Sequence, residues 1–215
     1  MRLVLLALAC AACNGGGPYI EGERWSEADR LFHQDAQWLG GDAAYSIALD
    51  DDRTLWLFGD SFIATSPALT RRESTMVRNS VAVMTGRDPL TATMEHAWNR
   101  TAVSSFFPDA GDHWFWPMGG VRVPGASLVV FLAEVRAEPG AGLGFAIVGT
   151  RAVRVRDPSG PAATWTLEPL ALPQAPHAAD ALIGSCVVVD TGHLVAVAVG
   201  RAVRGKRDIG TRHGP

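Results

Sequence analysis

The sequence predicts an all-β fold, and three observations carry that prediction. Past Trp38 helical spacing disappears, and short β-rich runs separated by Gly, Pro and Asp take over. One hairpin pattern then recurs. It reads Ala43–Leu49 and Thr54–Phe58 around a polar turn at Asp50–Arg53, and it returns over Gly119–Leu132 and Gly184–Val199. Aligning Leu55, Leu128 and Leu194 gives intervals of 73 and 66 residues. Lastly, another β-like run follows each of the first two hairpins, Met76–Met84 and Gly144–Val155. Strand density alone suits a sandwich, a barrel or a propeller. The repeat selects the propeller, because two hairpins make a four-stranded antiparallel sheet and radial repetition of such sheets makes blades.

The elements follow in order. Met1-Arg2 and the apolar run Leu3–Ala9 form a short positive and then hydrophobic leader, too short to span a bilayer as a helix. Residues 1–13 read as a signal peptide ending in Ala9-Cys10-Ala11-Ala12-Cys13, which resembles the lipobox of bacterial lipoproteins. Cys13 is the expected lipidation site, since it gives the longer apolar run and precedes Asn14-Gly-Gly-Gly17; Cys10 is the alternative. The implied address is the bacterial cell envelope, with the chain lipid-anchored to a membrane or secreted. Residues 14–24 read as a flexible linker. Over Gly22–Trp38, Trp25, Leu31 and Phe32 permit a short helix, with Ser26 and Asp29 as a weak capping pair. The domain itself spans 25–200, with Trp98 and Trp165 late in their repeats, where outer strands belong. Only about three blades are visible, and a propeller needs at least four to close. After Gly200 the pattern collapses, so the reading is a truncated propeller with an irregular, non-native tail over 201–215.

Composition narrows the function classes. The chain has 215 residues, 47% hydrophobic and 19% charged, against roughly 25% charged in ordinary soluble domains. A net charge of −3 without a basic stripe argues against nucleic acid as a partner. Six scattered histidines, with no paired spacing, predict neither metal nor cofactor. Cys186 is the only cysteine beyond the leader, lies in the apolar run Ile183–Val189, and reads as a buried, inert thiol.

The chemistry concentrates at the open end of the first hairpin. If Leu49 pairs near Thr54, Asp42 and Asp60 are close to opposite one another across the ladder, where directly opposed Cβ atoms lie roughly 4.5–5.5 Å apart. Two carboxylates at one rim repel each other, and paired carboxylates are what glycosidic chemistry uses. Asp60, after Gly59, also reads as a turn cap binding backbone N–H groups. Arg78 and Asn79 interrupt an apolar run and suit sugar hydroxyls, although Asn79 equally suits buried backbone. His113, Trp114 and Trp116 suit a stacking platform for a sugar ring, or an inter-sheet core. Glu134 is a weaker acidic candidate across the second hairpin. Asp50–Asp52 lack the spacing of a calcium loop and read as a solvated turn. Gly140–Gly144 reads as a hairpin connection, because no helix follows it.

Two resemblances bear on these residues. Gly40-Gly-Asp-Ala-Ala-Tyr-Ser46, Leu55-Trp-Leu-Phe-Gly-Asp-Ser-Phe-Ile63 and Val77-Arg-Asn-Ser-Val-Ala-Val83 resemble an uncharacterised family of secreted bacterial proteins. Its members look like five-bladed propellers distantly similar to arabinanase- and furanosidase-type glycoside hydrolases, with the likeness running from about Trp25 to Gly200. That implies acidic residues at the starts of inner strands facing a central channel, with Asp42 as base or nucleophile and Asp60 as a tuner of its pKa or a sugar ligand, and a polysaccharide or oligosaccharide as partner. Met118 and Gly119 stand where that family has Gly and Asp, which removes a carboxylate. A non-catalytic glycan- or protein-binding envelope lipoprotein is therefore the second reading. Phe58-Gly-Asp-Ser61-Phe also resembles the Gly-Asp-Ser block of SGNH-type esterases, with Ser61 as nucleophile. That fold needs a parallel α/β sheet, and its Gly-x-Asn-Asp block and Asp-x-x-His pair are missing.

Overall fold

The computed structural model describes residues 22–123, 127–140, 142–172, 181–190 and 193–200. The expected signal peptide with Cys13, most of the linker, and the tail over 201–215 lie outside the described residues. The described chain opens on a one-turn helix, α1 (Ser26–Asp29), and a 3-10 turn over Arg30–His33. The expected Ser26/Asp29 capping pair does not form. Trp25 occupies the N-cap without a side-chain cap, and the Asp29 carboxylate pairs with Arg24 instead.

Three long bent strands come next, each interrupted once. They are β1 (Trp38–Gly41) running into β2 (Tyr45–Ala48), β3 (Arg53–Phe58) into β4 (Ser61–Ala64), and β5 (Ser74–Val77) into β6 (Ser80–Thr85). With β7 (Thr93–Ala97) they form a four-stranded antiparallel sheet, β2-β3-β6-β7, and a three-stranded one, β1-β4-β5. Register continues through the interruptions. Tyr45 pairs with Leu57 on one side of the break and Gly41 with Ser61 on the other. Between them Asp42 N–H donates to the Asp60 carbonyl (3.2 Å) and Gly59 N–H to the Asp42 carbonyl (3.0 Å). The two sheets are one sheet creased along a line through residues 42–44, 59–60 and 78–79.

A second antiparallel sheet, ordered β11-β10-β9-β8, holds β8 (His113–Arg122), β9 (Leu128–Ala137), β10 (Phe145–Val155) and β11 (Leu167–Leu170). Beyond it β12 (Ala181–Asp190) pairs with β13 (His193–Gly200). All three expected hairpins are present, and β8 packs against β2 on one side and β12 on the other. Strand alternation explains the layers. Ile47, Leu49, Leu55, Leu57, Val81 and Val83 point one way and meet Phe115, Leu128, Val130 and Leu132 of the second sheet. The opposite face of the first sheet sends Phe58 and Ala82 into a cluster closed by Trp38, Trp98 and Leu31 of the N-terminal arm. Val129, Phe131 and Ala152 face Ile183, Val187 and Ala196 of the last hairpin. The aligned leucines Leu55 and Leu128 are both fully buried.

Cys186, expected buried, is exposed. The register of β12 slips between Ile183 and Cys186, and a bulge re-aims the side chains that follow it.

Candidate functional site

The crease gathers Asp42, Asp60 and Arg78 of the first sheet. Alternation would send Asp60 to the side of Phe58, into the apolar cluster. The bend at Gly59-Asp60 turns it toward Trp116 of the second sheet, while Ser61 meets Ser80 on the side of the Trp38 cluster. Asp42 and Asp60 do sit side by side, in a register one residue from the expected one, since Thr54 pairs with Ala48. They lie mid-way along bent strands, however, not at the open end of a hairpin.

Asp42 follows Gly41 and precedes two alanines in the left-handed region, Ala43 (φ 71°) and Ala44 (φ 58°). Non-glycine residues avoid that region, and such strain concentrates at functional sites. The strained pair turns the chain so that the Asp42 carboxylate lies over Gly59, where a Cβ would collide with it. Asp42 is solvent-exposed at the rim. Its carboxyl is held above the usual range by desolvation first and by the Asp60 charge second. Hydrogen bonds from the backbone of Asp60 and of Asp42 itself offset part of that rise.

Asp60 is half-buried and does not act as a turn cap in the hydrogen bonds it makes. Its Oδ1 accepts from the Trp116 indole N–H (2.9 Å), and its Oδ2 lies 3.6 Å from Arg78 Nη1. The bond from Trp116 reaches across from β8, so Asp60 ties the two sheets together. Arg78 continues the line, with its guanidinium carbon 4.5 Å from the Trp114 ring centroid. Trp114 and Trp116 meet edge to face (6.1 Å, 74°), and Phe145 stands against Trp116 (5.0 Å, 88°). An acid pair, a cation and an aromatic wall thus converge from both sheets.

Asn79 has a different place. It is fully buried; its Nδ2 donates to the carbonyls of Phe107 (3.1 Å) and Phe115 (2.8 Å), and its Oδ1 accepts from Phe107 N–H (2.7 Å). Every capacity of the amide that these bonds use goes to backbone, which supports the structural of its two readings. Together with Arg78 N–H bonding to Ser105 Oγ (3.1 Å), it pins the loop entering the second sheet. That loop delivers Asp109, a carboxylate that sequence reasoning passed over. Burial raises the Asp109 carboxyl, and the Arg78 charge opposes the rise. A signal was present in Phe106-Phe-Pro-Asp109, an acid directly ahead of the tryptophan-rich strand.

His113 and Glu134 form a separate cluster. His113 Nδ1 lies 2.6 Å from Glu134 Oε1, and Arg151 grips the same carboxylate through Nε (2.7 Å) and Nη2 (2.8 Å). Those bonds hold the Glu134 carboxyl below the carboxylate range, the Arg151 bond most of all. His113 sits on the strand face opposite Trp114 and Trp116, so it is not part of their wall. Ser61 is fully buried; its hydroxyl donates to the Gly59 carbonyl (2.9 Å) and shares a 2.8 Å bond with Ser80. Among the described residues no cluster of His, Cys, Asp and Glu suits a metal.

Fold and site define a class: an all-β protein of antiparallel sheets packed face to face, with a creased first sheet where acidic, basic and aromatic side chains meet. The chain belongs to the family described as a domain of unknown function (DUF5005), whose model matches residues 26–193. No curated protein matches it.

Proposed function

We propose that this is part of a β-propeller of the cell envelope that binds a polysaccharide at the crease and, with its acid pair intact, hydrolyses it. The adjacency of β2, β8 and β12 supports the propeller, since successive blades approach one another along their first strands. Each hairpin unit then contributes one blade or the beginning of one. The five-bladed count rests on the resemblance alone.

The observation that carries the functional reading is the row Asp42, Asp60, Arg78 with Trp116 bonded to Asp60. Retaining and inverting glycosidases both need two carboxylates in different protonation states. Here Asp42, at the exposed rim, is held above the usual range by partial desolvation first and by the neighbouring Asp60 charge second. Asp42 supplies the proton-transfer or nucleophilic carboxylate, Asp60 orients and tunes it, and Trp114 and Trp116 offer apolar area to a sugar face. A second reading keeps the binding and drops the chemistry. It is favoured by Gly119, where a Cβ would come within 2.8 Å of the Gly184 carbonyl, so an acid has no room there. The esterase reading receives no support from the buried Ser61.

Affinity electrophoresis against arabinan and galactan, followed by assay of released sugar, tests both readings. The enzyme reading expects binding and release, with release abolished by Asp42→Asn and binding kept. Binding without release for the wild type supports the second. Failure to bind any polysaccharide contradicts both. Membrane partnership is proposed through Cys13 alone, and a mass shift of the N-terminal peptide on lipidation tests it.

A further inference from the structure

A cavity of about 610 Å³ opens between the loop after the first sheet and the outer strands of the second, away from the tryptophan wall. Phe107, Phe115 and Leu132, all buried, make its floor, and Val153, Leu167 and Leu170 make its walls. Its volume falls within the roughly 300–1,000 Å³ of small-molecule sites, and its character is theirs: an apolar body with few polar groups. Two charged residues line it, Asp109 and Arg151. They are not equivalent. Arg151 is matched by Glu134 through two short bonds, so its charge is largely spent within the protein. Asp109 has no ion pair or hydrogen bond among the described contacts, and Arg78 is the one cation felt at its carboxyl. The rim is braced, since Ala110 and His113 exchange both backbone hydrogen bonds (2.9 and 3.1 Å) directly beside Asp109.

We propose that this cleft is a second binding site, for a small amphiphile with an aromatic or short aliphatic body and a cationic head that pairs with Asp109. The apolar body replaces water against Phe115, Leu132 and Val153, and the head stays at the solvent edge. A carboxylate head finds a guanidinium already occupied and an acid alongside, so the site discriminates by charge. The inference stands on the cavity and its charges and is independent of the glycan reading.

The test is ligand-observed NMR on the full chain with three probes of one shape: 2-phenylethylamine, 2-phenylethanol and 3-phenylpropanoate. The amine is expected to bind at least tenfold more tightly than the propanoate, with the alcohol between them. Asp109→Asn should bring the amine down to the alcohol and leave the alcohol unchanged. Val153→Trp should fill the cavity and remove all three. Should that variant misfold by circular dichroism, Ala171→Trp, at the exposed rim, covers the same mouth without touching the core. No binding by any probe at millimolar concentration overturns the proposal. So does a preference for the propanoate, or amine binding that survives the tryptophan substitutions.

Discussion

Asp42 is placed by what its neighbours lack. Gly59 leaves room for its carboxylate, and the strained pair Ala43-Ala44 turns the backbone that carries it. Gly59→Ala should therefore reproduce the loss of function of Asp42→Asn while the acid itself remains, read as a fall in sugar release at unchanged circular dichroism. Ala44→Gly should act in the opposite sense on stability. Glycine adopts the left-handed region freely, so the variant should gain up to about 1 kcal/mol in urea denaturation while the carboxylate is held less firmly. Asn79 is the structural counterpart. Removing its amide strands the Phe107 N–H and two carbonyls in the interior, and Asn79→Ala should cost about 3 kcal/mol by denaturation. Sequence reasoning found Asp42 and Asp60 opposite one another because a short turn fixes register. It leaves Asp60 open between a partner of Asp42 and a turn cap, because nothing local announces an indole arriving from β8. Asp109 stayed hidden for the same reason, since its significance depends on Arg78, remote in sequence.

At the scale of elements, the N-terminal arm closes the outer face of the first sheet. Gln34 works as a strand mimic: its Oε1 accepts from Met94 N–H (2.7 Å) and its Nε2 donates to the Ala92 carbonyl (3.0 Å), covering the free edge of β7. Beneath the arm His96 is buried, stacked on Trp38 (4.5 Å, 28°), and neither ring nitrogen has a protein partner. Desolvation lowers its pKa from 6.5 to about 4, with Asp35 opposing and Arg100 and His33 assisting. The folded state then binds fewer protons than the unfolded one between those values, so stability is lost as pH falls from 6.5 toward 4. The loss amounts to about 3 kcal/mol. Urea midpoints across that range should decline accordingly, and His96→Phe should flatten that part of the decline. The hairpins were legible because their turns are polar and their strands alternate. The crease was not, because each bend takes only two or three residues and register continues through it.

For the molecule as a whole, the repeat was the most informative property of the sequence, since it foretold that equivalent hairpins would pack as neighbours. Leu55 and Leu128, matched by position, are both fully buried between the first two sheets. Charge and fold together leave the crease as the place where acid, cation and aromatic groups from separate sheets meet. The bond from the Trp116 indole N–H to Asp60 joins them, and the proposed binding at the crease rests on it. The most direct measurement is the indole N–H region of a ¹H–¹⁵N spectrum during titration with arabino- and galacto-oligosaccharides. On this account the Trp116 resonance should shift and saturate, Asp60→Asn should weaken the effect, and Trp165, whose indole N–H is bonded to the Gly160 carbonyl away from the crease, should stay still. A Trp116 signal unmoved by every oligosaccharide, or one that moves no more than Trp165, would contradict it.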